Sequence, residues 1–219
     1  VLLNWRVDES LLNSYLPTGV ELDRWDGDCW ASLVGFRFLD MSVKGLPAFG
    51  YRNFPEINLR FYVKREIQGE LRRGVVFVQE LTPHRLVKWV ARSIYNEPYE
   101  ALPMRQTVNE SGALYEVQTD SNWQGIGVKA KGPWRKQNEM ELFITEHYWG
   151  YNTQKNNDSM EYRVEHPVWQ ARSVDLERYD LNVQGLYGNE WAETLAGKPD
   201  TMVFSDGSRV TVYSGEKFD

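Results

Sequence analysis

Residues 56–63 alternate without interruption: Ile57, Leu59, Phe61 and Val63 are apolar, and Glu56, Asn58, Arg60 and Tyr62 between them carry polar groups. A period of two puts the first set on one face of a strand and the second on the other. Residues 29–39 differ. Trp30, Val34, Phe36 and Phe38 fall on one face, Ala31 and Leu33 on the other, so this strand is apolar on both sides and belongs in the middle of a sheet. Residues 74–81 make another apolar strand, and residues 20–25 a strand that Asp26-Gly27 turns back as a hairpin. From residue 101 the pattern is a meander, with strands at 101–108, 114–119, 123–131, 139–145, 148–155 and 160–166. Asn156-Asn157-Asp158 turns the last two. A hairpin of 202–205 and 209–213, turned by Asp206-Gly207, closes the chain.

Helical spacing appears in three places. Asp8 caps a short amphipathic stretch whose stripe is Leu11, Leu12, Tyr15 and Leu16, and Pro17 stops it. The principal helix is predicted over 83–96, with Thr82 as its cap, Pro83 in its first turn and a buried stripe of Leu86, Trp89, Val90 and Ile94. Glu97-Pro98 ends it, because a residue before proline is pushed out of the helical region. Asn189 caps a last helix over 189–196, ended by Gly197. Residues 44–54, with two Gly and one Pro, read as a loop. The expected fold is therefore a single α+β domain over residues 1–219, mainly antiparallel strands.

Composition narrows the function classes. The chain has 219 residues with 9 Trp and 12 Tyr, enough for a sizeable core without a disulfide or metal staple. With 25 Lys+Arg against 31 Asp+Glu the formal charge is −6, which fits neither a general nucleic-acid binder nor a protein adsorbed on an anionic membrane. No membrane span and no signal peptide is visible, so a cytoplasmic protein is expected; the start at Val1 leaves room for an upstream segment. The lone Cys29, in an apolar run, reads as a buried thiol. His84, His147 and His166 are scattered, and neither a metal nor a cofactor motif is present.

Candidate chemistry concentrates on the polar face of the 56–63 strand. That face is either a solvated exterior or the lining of a pocket inside a curled sheet. Along one face of a strand, Glu56 and Arg60 stand about 13 Å apart, so each needs its own partner. Arg85, Lys88 and Arg92 share one side of the 83–96 helix, as a solvated face would.

Several segments together resemble a known family. Asn4-Trp5-Arg6-Val7-Asp8, Leu16-Pro17-Thr18-Gly19-Val20, the run from Phe54-Pro55-Glu56 to Tyr62-Val63, Ala91-Arg92-Ser93-Ile94-Tyr95 and His166-Pro167-Val168-Trp169 resemble, in this order, the YqjF-like family of uncharacterised bacterial proteins. That family is similar in fold to acetoacetate decarboxylase, which implies a strand-rich barrel or cone around a central pocket. The resemblance implies a pocket carboxylate at Glu56. It also implies two adjacent lysines where this chain has Tyr99 and Glu100. A phenol or a carboxylate forms no Schiff base, so the resemblance implies the pocket and argues against the decarboxylation.

The functional expectation is a protein that binds, or converts, a small organic molecule of anionic character. Glu56, Asn58, Arg60, Tyr62, Arg92, Tyr99 and Glu100 are its candidate binding residues. Arg60 would take the anionic group and either Glu100 or a bound anion would face it; Arg85, Arg92, Tyr62 or Tyr99 would face Glu56. Two alternatives stand beside this: a hydrolase or lyase using Glu56 or Glu100 as acid or base, and an interaction domain with no small-molecule site. No cofactor, metal, nucleic acid or membrane is expected as partner; self-association into a homo-oligomer is allowed.

Overall fold

The turns and alternations above fold mainly into strand: 54% of residues are strand and 15% helix. The computed structural model describes residues 1–43, 46–47, 50–94 and 96–218. The principal strands are β1 (Leu2–Val7), β2 (Asp28–Phe38), β3 (Phe54–Ile67), β4 (Glu70–Thr82), β5 (Tyr99–Ala101), β6 (Met104–Asn109), β7 (Gly112–Thr119), β8 (Asn122–Lys136), β9 (Trp149–Thr153), β10 (Ser159–Glu165), β11 (Gln170–Tyr179) and β12 (Thr201–Ser205). The helices are α1 (Glu9–Asn13), α2 (Arg85–Ile94), α3 (Glu139–Thr145), α4 (Val183–Tyr187) and α5 (Asn189–Thr194). No helix among the described residues is long and apolar enough to cross a membrane.

One sheet runs in the order β6-β7-β8-β11-β12-β1-β2-β3-β4-β9-β10 and ends on the short strand Thr211–Val212. It is antiparallel except along the outer edge of β4. There β9 pairs with the first half of β4 and β5 with the second half, both parallel. The sheet curls so that Tyr115 of β7 and Ile126 of β8 meet β2 at Gly35, where a Cβ would stand 2.7 Å from the Tyr115 ring. The two ends stay unpaired with each other, so the predicted barrel is an open, curled sheet.

The centre of this sheet is covered on both faces. Ile57, Leu59, Phe61 and Val63 join Leu3, Leu33, Val117 and Ile126 in the main core, all fully buried. On the opposite face Tyr62 joins Leu2, Trp30, Val34 and Val75, with Phe143 and Ile144 of α3 laid over them. Cys29 is buried, as its apolar run implied.

Several sequence expectations are corrected. Residues 139–145 are a helix, not a strand: Asn138 accepts from the Glu141 amide at 2.9 Å while Glu141 accepts from the Asn138 amide at 2.8 Å, a reciprocal cap that starts α3. Residues 170–179, left unassigned by the pattern, form β11, because their partners are distant strands. The segments 202–205 and 209–213 do not pair: β12 joins β1 and β11, while Thr211–Val212 joins β10. On α2, Leu86 and Trp89 are 47% and 65% exposed, because the Lys88 face turns toward Glu100 of β5. Gly188, not Asn189, precedes α5 as its cap. Residues 20–25 are interrupted as a strand at Asp23, and Leu46–Pro47 of the 44–54 segment pairs antiparallel with Ser42–Val43; residues 44, 45, 48 and 49 lie outside the described residues.

Candidate functional site

The polar face of β3 is buried at Glu56, Asn58 and Tyr62, and pairing extends it sideways. Asn58 stands opposite Glu80 of β4, and Glu80 opposite Tyr99 of β5, so three polar side chains share one row across three strands. The amide of Glu80 donates to the Pro98 carbonyl at 3.2 Å, holding β5 in this register. Glu97 sits in the turn just before β5. Glu56, Asn58, Glu80 and Glu97 are each at most 5% exposed.

Hydrogen bonds gather these residues around Glu56 and around Glu97, and Glu80 couples to both electrostatically, making one cluster. The Tyr99 hydroxyl donates to Oε2 of Glu56 at 2.7 Å, and Nδ2 of Asn58 donates to its Oε1 at 3.1 Å. Oε1 of Glu97 accepts from Nδ2 of Asn152 and from the Tyr162 hydroxyl, both at 2.9 Å. Asn152 comes from β9 and Tyr162 from β10, so five segments converge here. Tyr162 fits because it crosses Gly150 of β9, where a Cβ would lie 2.1 Å from the ring. Oε2 of Glu80 and Oε2 of Glu97 are buried without a partner.

Three buried carboxyls with no cation between them cannot all ionise cheaply. Burial pushes Glu56 up to about 7, against the pull of the Tyr99 and Asn58 donors. Burial likewise raises Glu97 to about 7, against Asn152 and Tyr162. Glu80 is held well above the usual carboxylate range by burial and then by Glu56 and Glu97. Burial, and then Glu56 and Glu80, keep Tyr99 a neutral phenol. The cluster therefore stores protons at neutral pH and can give or take one there. Tyr99 is half-buried, and of the cluster it is the member that reaches solvent.

Farther along β3 lies a second polar group. Tyr62 shares a short hydrogen bond with Ser32 of β2, whose hydroxyl donates to Oδ1 of Asn4 at 2.6 Å. The His147 ring lies 4.7 Å from the Tyr62 ring, and its Nε2 is 3.1 Å from Oδ2 of Asp23. The same Asp23 oxygen accepts from Nε of Arg73 at 2.6 Å. Arg60 stands between the two groups, half-buried, with Nη2 donating to the Ile144 carbonyl at 3.3 Å.

Of the residues singled out from sequence, Glu56, Asn58 and Tyr99 meet in the acid cluster, while Arg60 and Tyr62 lie beyond it. Glu100 does not join them. It pairs with Lys88 at 2.7 Å, and Arg92 is exposed on α2. Tyr99, not Arg85 or Arg92, is the partner of Glu56, and Glu100 is not the partner of Arg60. Glu80, Glu97, Asn152, Tyr162, Asp23 and His147 were missed. A carboxylate inside the apolar 74–81 run was the one available signal, at Glu80. Two open surface hollows, of about 260 and 590 Å³, lie elsewhere, one beside Trp25 and Trp30 and the other beside Trp134. Among the described residues no group of three or more His, Cys, Asp or Glu side chains is placed to hold a metal ion.

Comparison with known proteins extends this description. A family model described as an uncharacterized conserved protein, DUF2071, matches residues 1–209. The uncharacterized protein YqjF of Bacillus subtilis (strain 168) is 28% identical over 180 residues, 80% of this chain and 72% of that protein. Among solved structures, acetoacetate decarboxylase from Legionella pneumophila superposes with a TM-score of 0.59 at 12% identity, covering 99% of this chain and 80% of that one. An acetoacetate decarboxylase-like enzyme from Sphingomonas wittichii RW1 gives 0.61 at 12% identity, covering 100% and 89%. The enduracididine biosynthesis enzyme MppR, complexed with pyruvate, gives 0.62 at 16% identity, covering 99% and 86%. At these identities the likeness is one of fold.

Proposed function

The chain belongs to the DUF2071 family of uncharacterized conserved proteins, and we propose that it binds a small organic molecule on the polar face of β3 without Schiff-base chemistry. The observation that carries this reading is the bond from Tyr99 to a buried Glu56, in a cluster built of carboxyls, phenols and amides and lacking an amine. A protein that needed only a core would fill this position with apolar groups, since each buried carboxyl costs solvation. Lysines offer no nucleophile here. Among the described residues every lysine is exposed or half-buried; Lys88 is tied to Glu100 and Lys131 to Asp175. The fold neighbours that are enzymes support a ligand site in this architecture, and Arg60 is the group that would take an anionic end.

A second reading, acid–base catalysis by Glu56, is favoured by its position near pH 7 and its link to the half-buried Tyr99. Glu100, held low by Lys88, is unsuited to that role. The test is a thermal-shift screen of small organic acids and their esters against the chain and its Glu56→Gln variant. Stabilisation of the parent that the variant loses supports the reading. Equal responses from both proteins, or none from either, overturn it.

A further inference from the structure

Two polar atoms beside the Tyr62 ring are buried and have nothing to bond: Nε of Arg60 and Nδ1 of His147. The Arg60 guanidinium lies 5.7 Å from the ring centroid, and the His147 ring 4.7 Å from it. Arg65 of β3 and Arg72 and Arg73 of β4 each hold a carboxylate. Arg60 differs. Its hydrogen-bond partners are the neutral Ile144 carbonyl and Tyr62 side chain, and among the described residues no carboxylate is paired with it. A guanidinium has five N–H donors and a permanent charge, so this one lacks an anion.

His147 has the opposite need. Asp23, already receiving the Arg73 guanidinium, is an ionised acceptor, so Nε2 of His147 carries the ring proton and donates to it. Nδ1 is then a bare lone pair in a site where the side chain is 1% exposed. It requires a donor. Burial keeps the ring neutral, with its titration lowered to about 4, so the lone pair persists at neutral pH.

We propose that Arg60 and His147 form a subsite for a small hydroxy acid, the guanidinium taking the carboxylate and Nδ1 accepting the hydroxyl hydrogen. The proposal rests on the reading that the polar face of β3 binds a small organic molecule, and it names the class. A simple anion satisfies Arg60 and leaves Nδ1 empty; a neutral alcohol does the reverse. A molecule with both groups on a short skeleton satisfies both, with the Tyr62 and Phe143 rings as its apolar wall. Arg60, half-buried, connects the subsite to solvent.

The test uses glycolate as the probe and acetate as its control, in long-range proton–nitrogen NMR of the full chain. The His147 signals are assigned by their loss in His147→Gln. Glycolate is expected to shift the Nδ1 resonance saturably, with acetate at least tenfold weaker. Arg60→Gln should weaken glycolate at least tenfold while the His147 signals keep their free positions, showing an intact fold. Glu56→Gln should leave the glycolate response in place, which separates this subsite from the acid cluster. No shift at tens of millimolar glycolate, equal responses to the two acids, or full binding by Arg60→Gln would each overturn the proposal, whatever the Glu56 screen returns.

Discussion

The Tyr99 hydroxyl donates to Glu56 at 2.7 Å and so joins β5 to β3 across the end of β4. It is one of two donors that hold the Glu56 titration down against burial. Tyr99→Phe should therefore raise the Glu56 pKa further and destabilise the fold by about 1–3 kcal/mol at pH 8, where the carboxylate is ionised. At pH 5 the acid is protonated and the loss should shrink. Urea unfolding at both pH values measures this; an equal loss at the two would show that Tyr99 acts by packing alone.

The raised carboxyls set a pH dependence. Glu56 and Glu97, at about 7 in the fold, release their protons at about 4.5 when unfolded, and Glu80 is raised as well. Their contribution is full below about pH 4.5 and is lost as pH rises toward 7. Each tenfold difference in proton affinity between the folded and unfolded chain is worth about 1.4 kcal/mol. His147, lowered to about 4, works the other way: its contribution is full above 6.5 and is lost as pH falls. Glu80→Gln isolates the first effect, because the amide mimics the protonated acid. It should be more stable than the parent at pH 8 and equal to it near pH 4.5. Parallel stability curves for the two proteins would remove the proton-storing cluster.

Borohydride trapping with acetoacetate should give no covalent adduct. Tyr99 and Glu100 occupy the stretch where the resemblance implies paired lysines, and Lys88 is engaged by Glu100. Mass analysis of the reduced protein reads the outcome. A stoichiometric adduct at Lys88, Lys129 or Lys131 would restore amine chemistry to this chain.

Strand alternation made β3 legible, and with it Glu56 and Asn58, because period two depends only on neighbours in the chain. What covers the polar face was not legible. Glu97, Asn152 and Tyr162 reach the cluster from a turn and two later strands, through parallel pairings on β4 that leave no mark on the local pattern. His147 looked isolated because its partners, Asp23 and Tyr62, are 124 and 85 positions away in the chain. The stripe on α2 misled for a related reason. An amphipathic pattern names an apolar face without saying which face the Lys88–Glu100 pair will draw inward. The Asn138–Glu141 cap was readable in the residues but lay inside a run that alternated well enough to pass for strand.

Gly150 links the fold to the site through Tyr162. A Cβ at residue 150 would stand 2.1 Å from the Tyr162 ring, whose hydroxyl donates to Glu97. Gly150→Ala must therefore displace the ring, and the ring takes its hydroxyl away from a carboxyl that already has one orphaned oxygen. Overpacking of this kind costs about 1–3 kcal/mol, and losing a donor to a buried group about as much again. The two parts can be separated. In a Tyr162→Phe background the hydroxyl is already gone, so Gly150→Ala should cost only the overpacking. The double-mutant cycle is then non-additive by about 1 kcal/mol or more, as expected for residues in contact. The coupling should be larger at pH 8 than at pH 5, since ionised Glu97 gains more from the donor than protonated Glu97 does. Additive costs at both pH values would mean that the ring slides without releasing Glu97, and that Gly150 serves packing alone.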